Sequence, residues 1–158
     1  MCLGERASRR RAQVPRAQAE NLREALAAGF DEVIAVVRDP DLAAELPEDV
    51  TVLLDESAQA DEASALRVAA DWCARSGHDR LVVALAAARV APTPVWSLLE
   101  VTDTTPVLLA RDARGAIGVV RLDASVWSLL PLSGGVDALW RARRELVTEV
   151  LVTREPTR

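Results

Sequence analysis

Three sets of residues in this chain have the types and spacing to do chemistry. Arg6, Arg9, Arg10, Arg11 and Arg16 crowd into the first sixteen positions, and closely spaced guanidinium groups neutralise neighbouring phosphates. A solvated terminus carries such a run equally well. No aromatic residue is interleaved to stack on bases, so nucleic acid is not an expected partner. Asp55-Glu56 and Asp61-Glu62 bracket a short loop and could bind a cation; carboxylates just before a helical pattern also stabilise its N-terminal dipole, and capping is the expectation. His78 is the only histidine. With no second histidine or nearby cysteine it reads as a surface turn residue between Gly77 and Asp79. Cys2 and Cys73 are too far apart for a metal knuckle or a disulfide framework, and Cys73 reads as a small apolar core residue.

The basic charge is entirely arginine, with no lysine anywhere. Mechanisms that need an amine as phosphate clamp, base or Schiff-base former are therefore excluded. A formal net charge of -5 supplies no global field toward polyphosphates or anionic membranes. No apolar stretch approaches the roughly 20 residues of a membrane span, and no apolar segment follows the N-terminal charges, so the expectation is a cytoplasmic protein with no membrane partner.

The elements that must position these residues follow from periodicity. At 158 residues the chain fits one domain, and 1-158 is taken as a single unit. Half the residues are hydrophobic but only 3% aromatic, so the core must be built from Ala, Val and Leu. Ala19, Leu22, Ala25 and Leu26 form a helical stripe closed by Gly29. Glu32 to Val37 is a continuous β-branched run of the kind found in strands covered on both faces. Asp39-Pro40 opens a short helix over 41 to 46, and Val50 to Leu54 reads as the next strand. Asp61 to Arg75 is an amphipathic helix with Ala65, Leu66, Ala69 and Trp72 inward, followed by a strand over 81 to 85. Beyond these the pattern predicts a helix over 93 to 100, a hairpin of strands 106 to 110 and 118 to 122 about a turn at 112 to 115, helical segments over 125 to 130 and 136 to 144, and a last strand over 146 to 152. Strands alternating with helices of this length predict an α/β fold: a three-layer, Rossmann-like, mostly parallel sheet with helices on both faces. Trp96 and Trp127 sit in similar V-W-S-L-L contexts that read as helix-on-sheet packing.

Several segments, in order, resemble the MobA-like nucleotidyltransferases, of the nucleotide-diphospho-sugar transferase-like fold, and especially the branch that acts on the molybdenum cofactor. Ala28-Gly29-Phe30-Asp31-Glu32-Val33 is similar to the family's helix-to-second-strand junction. Glu62-Ala63-Ser64-Ala65-Leu66-Arg67 resembles its S-x-L-R helix start, and Asp79 to Leu85 the strand leading to its metal site. Leu132-Ser133-Gly134-Gly135 and Glu145 to Val150 continue the likeness. The resemblance implies a glycine-rich triphosphate loop after the first strand, matched here by Leu3 to Arg11, and an Asp-held Mg²⁺ after the fourth.

The chain departs from that pattern where the chemistry would lie. Gly4, Ser8 and Arg9 fit the loop, but its second glycine is Glu5, its last is Arg11, and its lysine is missing; the first strand is cut to Met1-Cys2-Leu3. The metal-binding Asp corresponds to Ala87, and no residue corresponds to the family's closing acidic tail. What the resemblance leaves is a vestigial nucleotide site at Gly4, Ser8, Arg9, Ser64 and Arg67, with no catalytic residue, metal or cofactor expected. The leading expectation is a catalytically degenerate pseudoenzyme acting as a binding or regulatory protein. An unidentified protein partner would meet the former active-site face, made apolar by Ala86, Ala87, Ala88, Val119 and Val120. The competing expectation is an active enzyme that transfers a nucleotide from CTP or GTP to a molybdopterin-type acceptor, with Mg²⁺ on another ligand such as Asp55 or Asp123.

Overall fold

The computed structural model describes residues 16–57, 61–84, 105–111, 117–130, 141 and 143–151. The helix α1 (Arg16–Ala27) ends where the helical stripe runs out, and Gly29 follows it at φ +74°, a conformation that costs glycine little. The strand β1 (Ile34–Val37), the short helix α2 (Pro40–Ala43) and the strand β2 (Thr51–Leu54) come next. Asp39 caps α2 by accepting the Asp41 N–H, and Pro40 sits at the first turn, where its missing N–H costs nothing. Then come α3 (Glu62–Ser76) and β3 (Arg80–Ala84). The chain continues through β4 (Val107–Arg111), β5 (Ile117–Asp123), a 3₁₀ helix (Ala124–Leu129), a one-turn 3₁₀ helix (Arg144–Leu146) and β6 (Val147–Leu151).

The strands form two sheets: a parallel pair β1-β2, and a four-stranded sheet in the order β3-β5-β4-β6. In the second, β5 runs antiparallel to both neighbours while β4 and β6 are parallel. Two of the four ladders are thus antiparallel, and the expectation of a mostly parallel sheet is corrected to a mixed one. The cause is the direction and place of β5. It runs opposite to β4 and inserts between β3 and β4, so one reversed strand changes the sense of two ladders. Ala110 faces Val119 and Arg111 faces Ile117, which makes Gly118 the extra residue of a bulge on β5.

The core lies between α3 and one face of the four-stranded sheet. Leu66, Ala69, Ala70 and Cys73 of α3 meet Leu81, Val107, Leu109, Val120 and Leu122, with Val126 and Leu130 closing one side. Ala70 and Cys73 take the inward positions expected of Ala65 and Trp72, which are half-buried, so the helix is turned slightly about its axis. Leu108, Ala110, Val119 and Arg121, on the opposite face, are also buried, so the sheet is covered on both sides, and β4 and β5 read as continuous rather than alternating runs for that reason. The β1-β2 pair packs on the same core through Ile34 and Val36. Among the described residues no helix is long and apolar enough to cross a membrane. The expected first strand, the helix over 93 to 100, the turn at 112 to 115, and most of the helix over 136 to 144 lie outside the described residues.

Candidate functional site

The helix α3 orders the polar groups of the molecule. Its N-terminal end, here the upper end, faces the carboxyl end of β2; its C-terminal end, the lower, leads into β3. At 15 residues it spans about 22 Å, at roughly 1.5 Å per residue.

At the upper end Asp55 follows β2 directly and is only 5% exposed. Its Oδ2 accepts the Ser64 hydroxyl at 2.6 Å and its Oδ1 accepts the Ser57 N–H at 3.0 Å. Ser64 is the third residue of α3, and with Asp61 it forms a capping box: Asp61 Oδ1 accepts the Ser64 N–H and Ser64 Oγ accepts the Asp61 N–H, each at 3.0 Å. The capping expected of Asp61 is therefore observed. A hydroxyl has one proton to give, and the short bond to a carboxylate takes it in preference to the Asp61 carbonyl 2.9 Å away. The Ser64 hydroxyl, followed by Ser57 and the positive charge of Arg38, holds the Asp55 carboxyl below the ordinary aspartate value against the opposing effect of burial. Arg38 stands at the carboxyl end of β1. Arg67, three residues after Ser64 and so nearly on the same face of α3, is half-buried.

At the lower end Glu32, just before β1, gathers three donors. Its Oε1 accepts the Thr51 hydroxyl at 2.6 Å and the Trp72 indole N–H at 3.0 Å, and its Oε2 lies 2.9 Å from His78 Nε2. The Thr51 bond is the main reason its carboxyl sits below the ordinary glutamate value. Gly77, at φ +80°, ends α3 and sends the chain back so that the His78 N–H reaches the Cys73 carbonyl. Cys73 is buried, as expected, and burial pushes its thiol up. The sequence reading puts His78 on the surface; the structure half-buries it against Glu32, across a separation that no local pattern signals.

Asp123 also lies at the lower end. It faces Arg80 across the β3–β5 ladder, with Arg80 Nε 3.3 Å from its Oδ1, and the fully buried Arg121 places its Nε 3.7 Å from the same oxygen. Arg121 Nη2 donates to the Thr105 carbonyl at 2.9 Å. Asp55 and Asp123, the two carboxylates raised above as substitute metal ligands, are thus separated by most of the length of α3 and cannot share a cation. One is turned inward onto serines and the other onto arginines. Among the described residues no group of three His, Cys, Asp or Glu is placed to hold a metal ion, and the described carboxylates do not fit the Mg²⁺ that the resemblance implies.

Of the expected vestigial nucleotide residues, Ser64 and Arg67 come together on the upper half of α3, while Gly4, Ser8 and Arg9 lie outside the described residues. Val119 and Val120 have no exposed surface, so they cannot contribute to an apolar docking patch; Ala86, Ala87 and Ala88 lie outside the described residues. The residue missed from sequence is Asp55 as the partner of Ser64. A buried acid at the carboxyl end of a strand, nine positions ahead of a capping serine, was the available signal.

No family profile and no curated protein matches the chain. Solved structures do. The crystal structure of Rv0371c from Mycobacterium tuberculosis H37Rv in complex with manganese superposes with a TM-score of 0.70 at 24% identity, covering 94% of this chain and 84% of that one. An Rv0371c homologue from Mycobacterium sp. strain JC1 gives 0.64 at 19% identity, covering 89% of this chain and 75% of that one. A protein from Desulfovibrio desulfuricans G20, assigned by name to the nucleotide-diphospho-sugar transferases, gives 0.59 at 12% identity, covering 83% of this chain and 64% of that one. At these identities the likeness concerns architecture: the chain shares the fold of these structures, one of them named for the nucleotide-diphospho-sugar transferases.

Proposed function

We propose that this chain is a MobA-like nucleotidyltransferase-fold protein that has lost turnover and acts in the cytoplasm as a binding or regulatory protein, with a vestigial nucleotide site at its upper corner. The observation that carries this reading is the state of Ser64. The residue that the resemblance would turn toward a nucleotide gives its proton to Asp55 and its lone pair to the Asp61 N–H. Ligands of open α/β sheets bind outside the carboxyl ends of the strands; Arg38 directly follows β1, and Arg67 lies in the first half of α3. Lysine is absent and alanine replaces the metal-binding aspartate at position 87. Charge-clamp and metal contributions of that kind are worth several kcal/mol, or roughly three powers of ten in rate.

A second reading is an active transferase that passes a nucleotide from CTP or GTP to a molybdopterin-type acceptor; the manganese held by one structural neighbour favours it. Thermal unfolding of the purified protein against a panel of NTPs, with and without Mg²⁺ or Mn²⁺, separates the two, because a ligand of the native state raises apparent stability by mass action. The degenerate reading expects no metal-dependent shift. A metal-dependent shift with CTP or GTP at sub-millimolar concentration overturns it.

A further inference from the structure

The two sheets are held in different ways. β4 and β5 are buried along nearly their whole length, whereas every residue of β1 is half-buried and β2 ends on Leu54, which is 45% exposed. Among the described residues the β1-β2 pair shares no ladder with the four-stranded sheet. Among the described residues its apolar attachment to the core includes Ile34 and Val36, and its polar attachments to α3 and the turn that follows it include two carboxylate clasps at opposite ends of the helix: Asp55 onto Ser64 above, and Glu32 onto Trp72 and His78 below. Segments with few buried contacts open locally at a free energy well below that of global unfolding. An attachment concentrated in two side chains opens as a unit, because losing either carboxylate releases several bonds at once.

We propose that the β1-β2 pair, with Glu32 and Asp55 as its clasps, is a flap that detaches from α3 as one cooperative unit while the four-stranded sheet stays folded. Opening separates Arg38 and Asp55 from the N-terminus of α3 and so takes apart the upper corner. That consequence for ligand access rests on the nucleotide-site reading; the opening itself does not.

Hydrogen exchange of the full, ligand-free chain at neutral pH, read by mass spectrometry, tests the flap in wild type, Glu32→Gln and Asp55→Asn. The expected result is exchange about tenfold faster over residues 34–37 and 51–54 in either variant, as follows from losing one or two buried hydrogen bonds, with residues 107–111 and 117–123 unchanged. Acceleration of both sheets together overturns the proposal, because the molecule then opens as a whole. Unchanged exchange in β1 and β2 also overturns it. If Asp55→Asn does not fold, Trp72→Phe removes the donor that α3 gives to Glu32 and reads the same contrast at smaller amplitude. No nucleotide is present, so a failure here leaves the proposed function standing, and a failure of nucleotide binding leaves the flap standing.

Discussion

The two ends of α3 solve one problem with partners of different origin. At the upper end Asp55, Ser57, Asp61 and Ser64 lie within nine positions of each other, and the Asp55–Ser64 pair at its centre is buried. At the lower end Glu32 draws on Thr51, Trp72 and His78, which lie 19, 40 and 46 positions away, and its cluster is half-buried. In both the largest influence that favours the ionised carboxylate is a hydroxyl donor, Ser64 above and Thr51 below. The upper cluster is built by the chain's local path and makes the helix cap. The lower one forms only once β1, β2 and α3 have packed, so it reports on tertiary structure. A local cluster can survive loosening of the fold; a cluster assembled from four distant segments cannot.

The largest expected effect comes from striking what both ends share. Leu109 is fully buried beneath α3, and Leu109→Ala should cost about 2–5 kcal/mol, the usual range for a buried leucine that leaves a cavity. In denaturant titrations both ends should then be lost at one lowered midpoint. Asp55→Ala comes next, at about 1–3 kcal/mol, because it removes the acceptor of the Ser57 N–H and leaves the buried Ser64 hydroxyl only the weaker Asp61 carbonyl. Equal destabilisation by Asp55→Ala and Asp55→Asn would show that the charge carries the upper end, whereas a much smaller cost for Asp55→Asn would show that it matters little there.

The same contrast explains what could be read from sequence. The cap at Asp61, the left-handed Gly29 and Gly77, the α3 stripe and the hairpin of β4 and β5 were legible because each depends on residues within a few positions of one another. The mixed sense of the sheet was not: periodicity marks a strand but says nothing about which neighbour it joins, and one inserted strand changed two ladders. The Glu32 cluster was illegible for the same reason, since nothing near His78 in the chain announces an acid 46 positions earlier. The candidate site was legible only in part. The helix motif marked Ser64 and Arg67, but Asp55, which decides what the Ser64 hydroxyl does, stands just after the preceding strand.

Glu32→Gln sharpens the comparison with pH. Both carboxyls are held below their ordinary values. A group of lowered folded pKa contributes stability that is present above its unfolded value and is lost as pH falls through the folded value. Wild-type stability should therefore decline as pH drops below about 4.5, the ordinary carboxylate range. Glu32→Gln should cost about 1–2 kcal/mol at neutral pH, since the amide can accept only part of what the carboxylate accepts. Its acid decline should be shallower than that of wild type. A decline parallel to wild type, followed by the fluorescence of Trp72 and its fellow indoles, would remove Glu32 from the acid response and leave Asp55 as its main source.

The smallest effect tests whether the lower end depends on the turn that delivers His78. Gly77 has φ +80°, and a Cβ placed there would meet nothing within 4 Å. The cost of Gly77→Ala is then backbone strain alone, about 1 kcal/mol, the left-handed penalty of a residue with a Cβ. Asparagine tolerates that region better than alanine, so Gly77→Asn should recover part of the loss. The left-handed turn also carries the His78 N–H to the Cys73 carbonyl, and a relaxed turn would move the imidazole away from Glu32. If strain is the whole effect, Gly77→Ala in a Glu32→Gln background costs the same as in wild type. If the turn acts through the cluster, the double variant loses less than the sum of the two single ones, because the contact the turn supports is already broken.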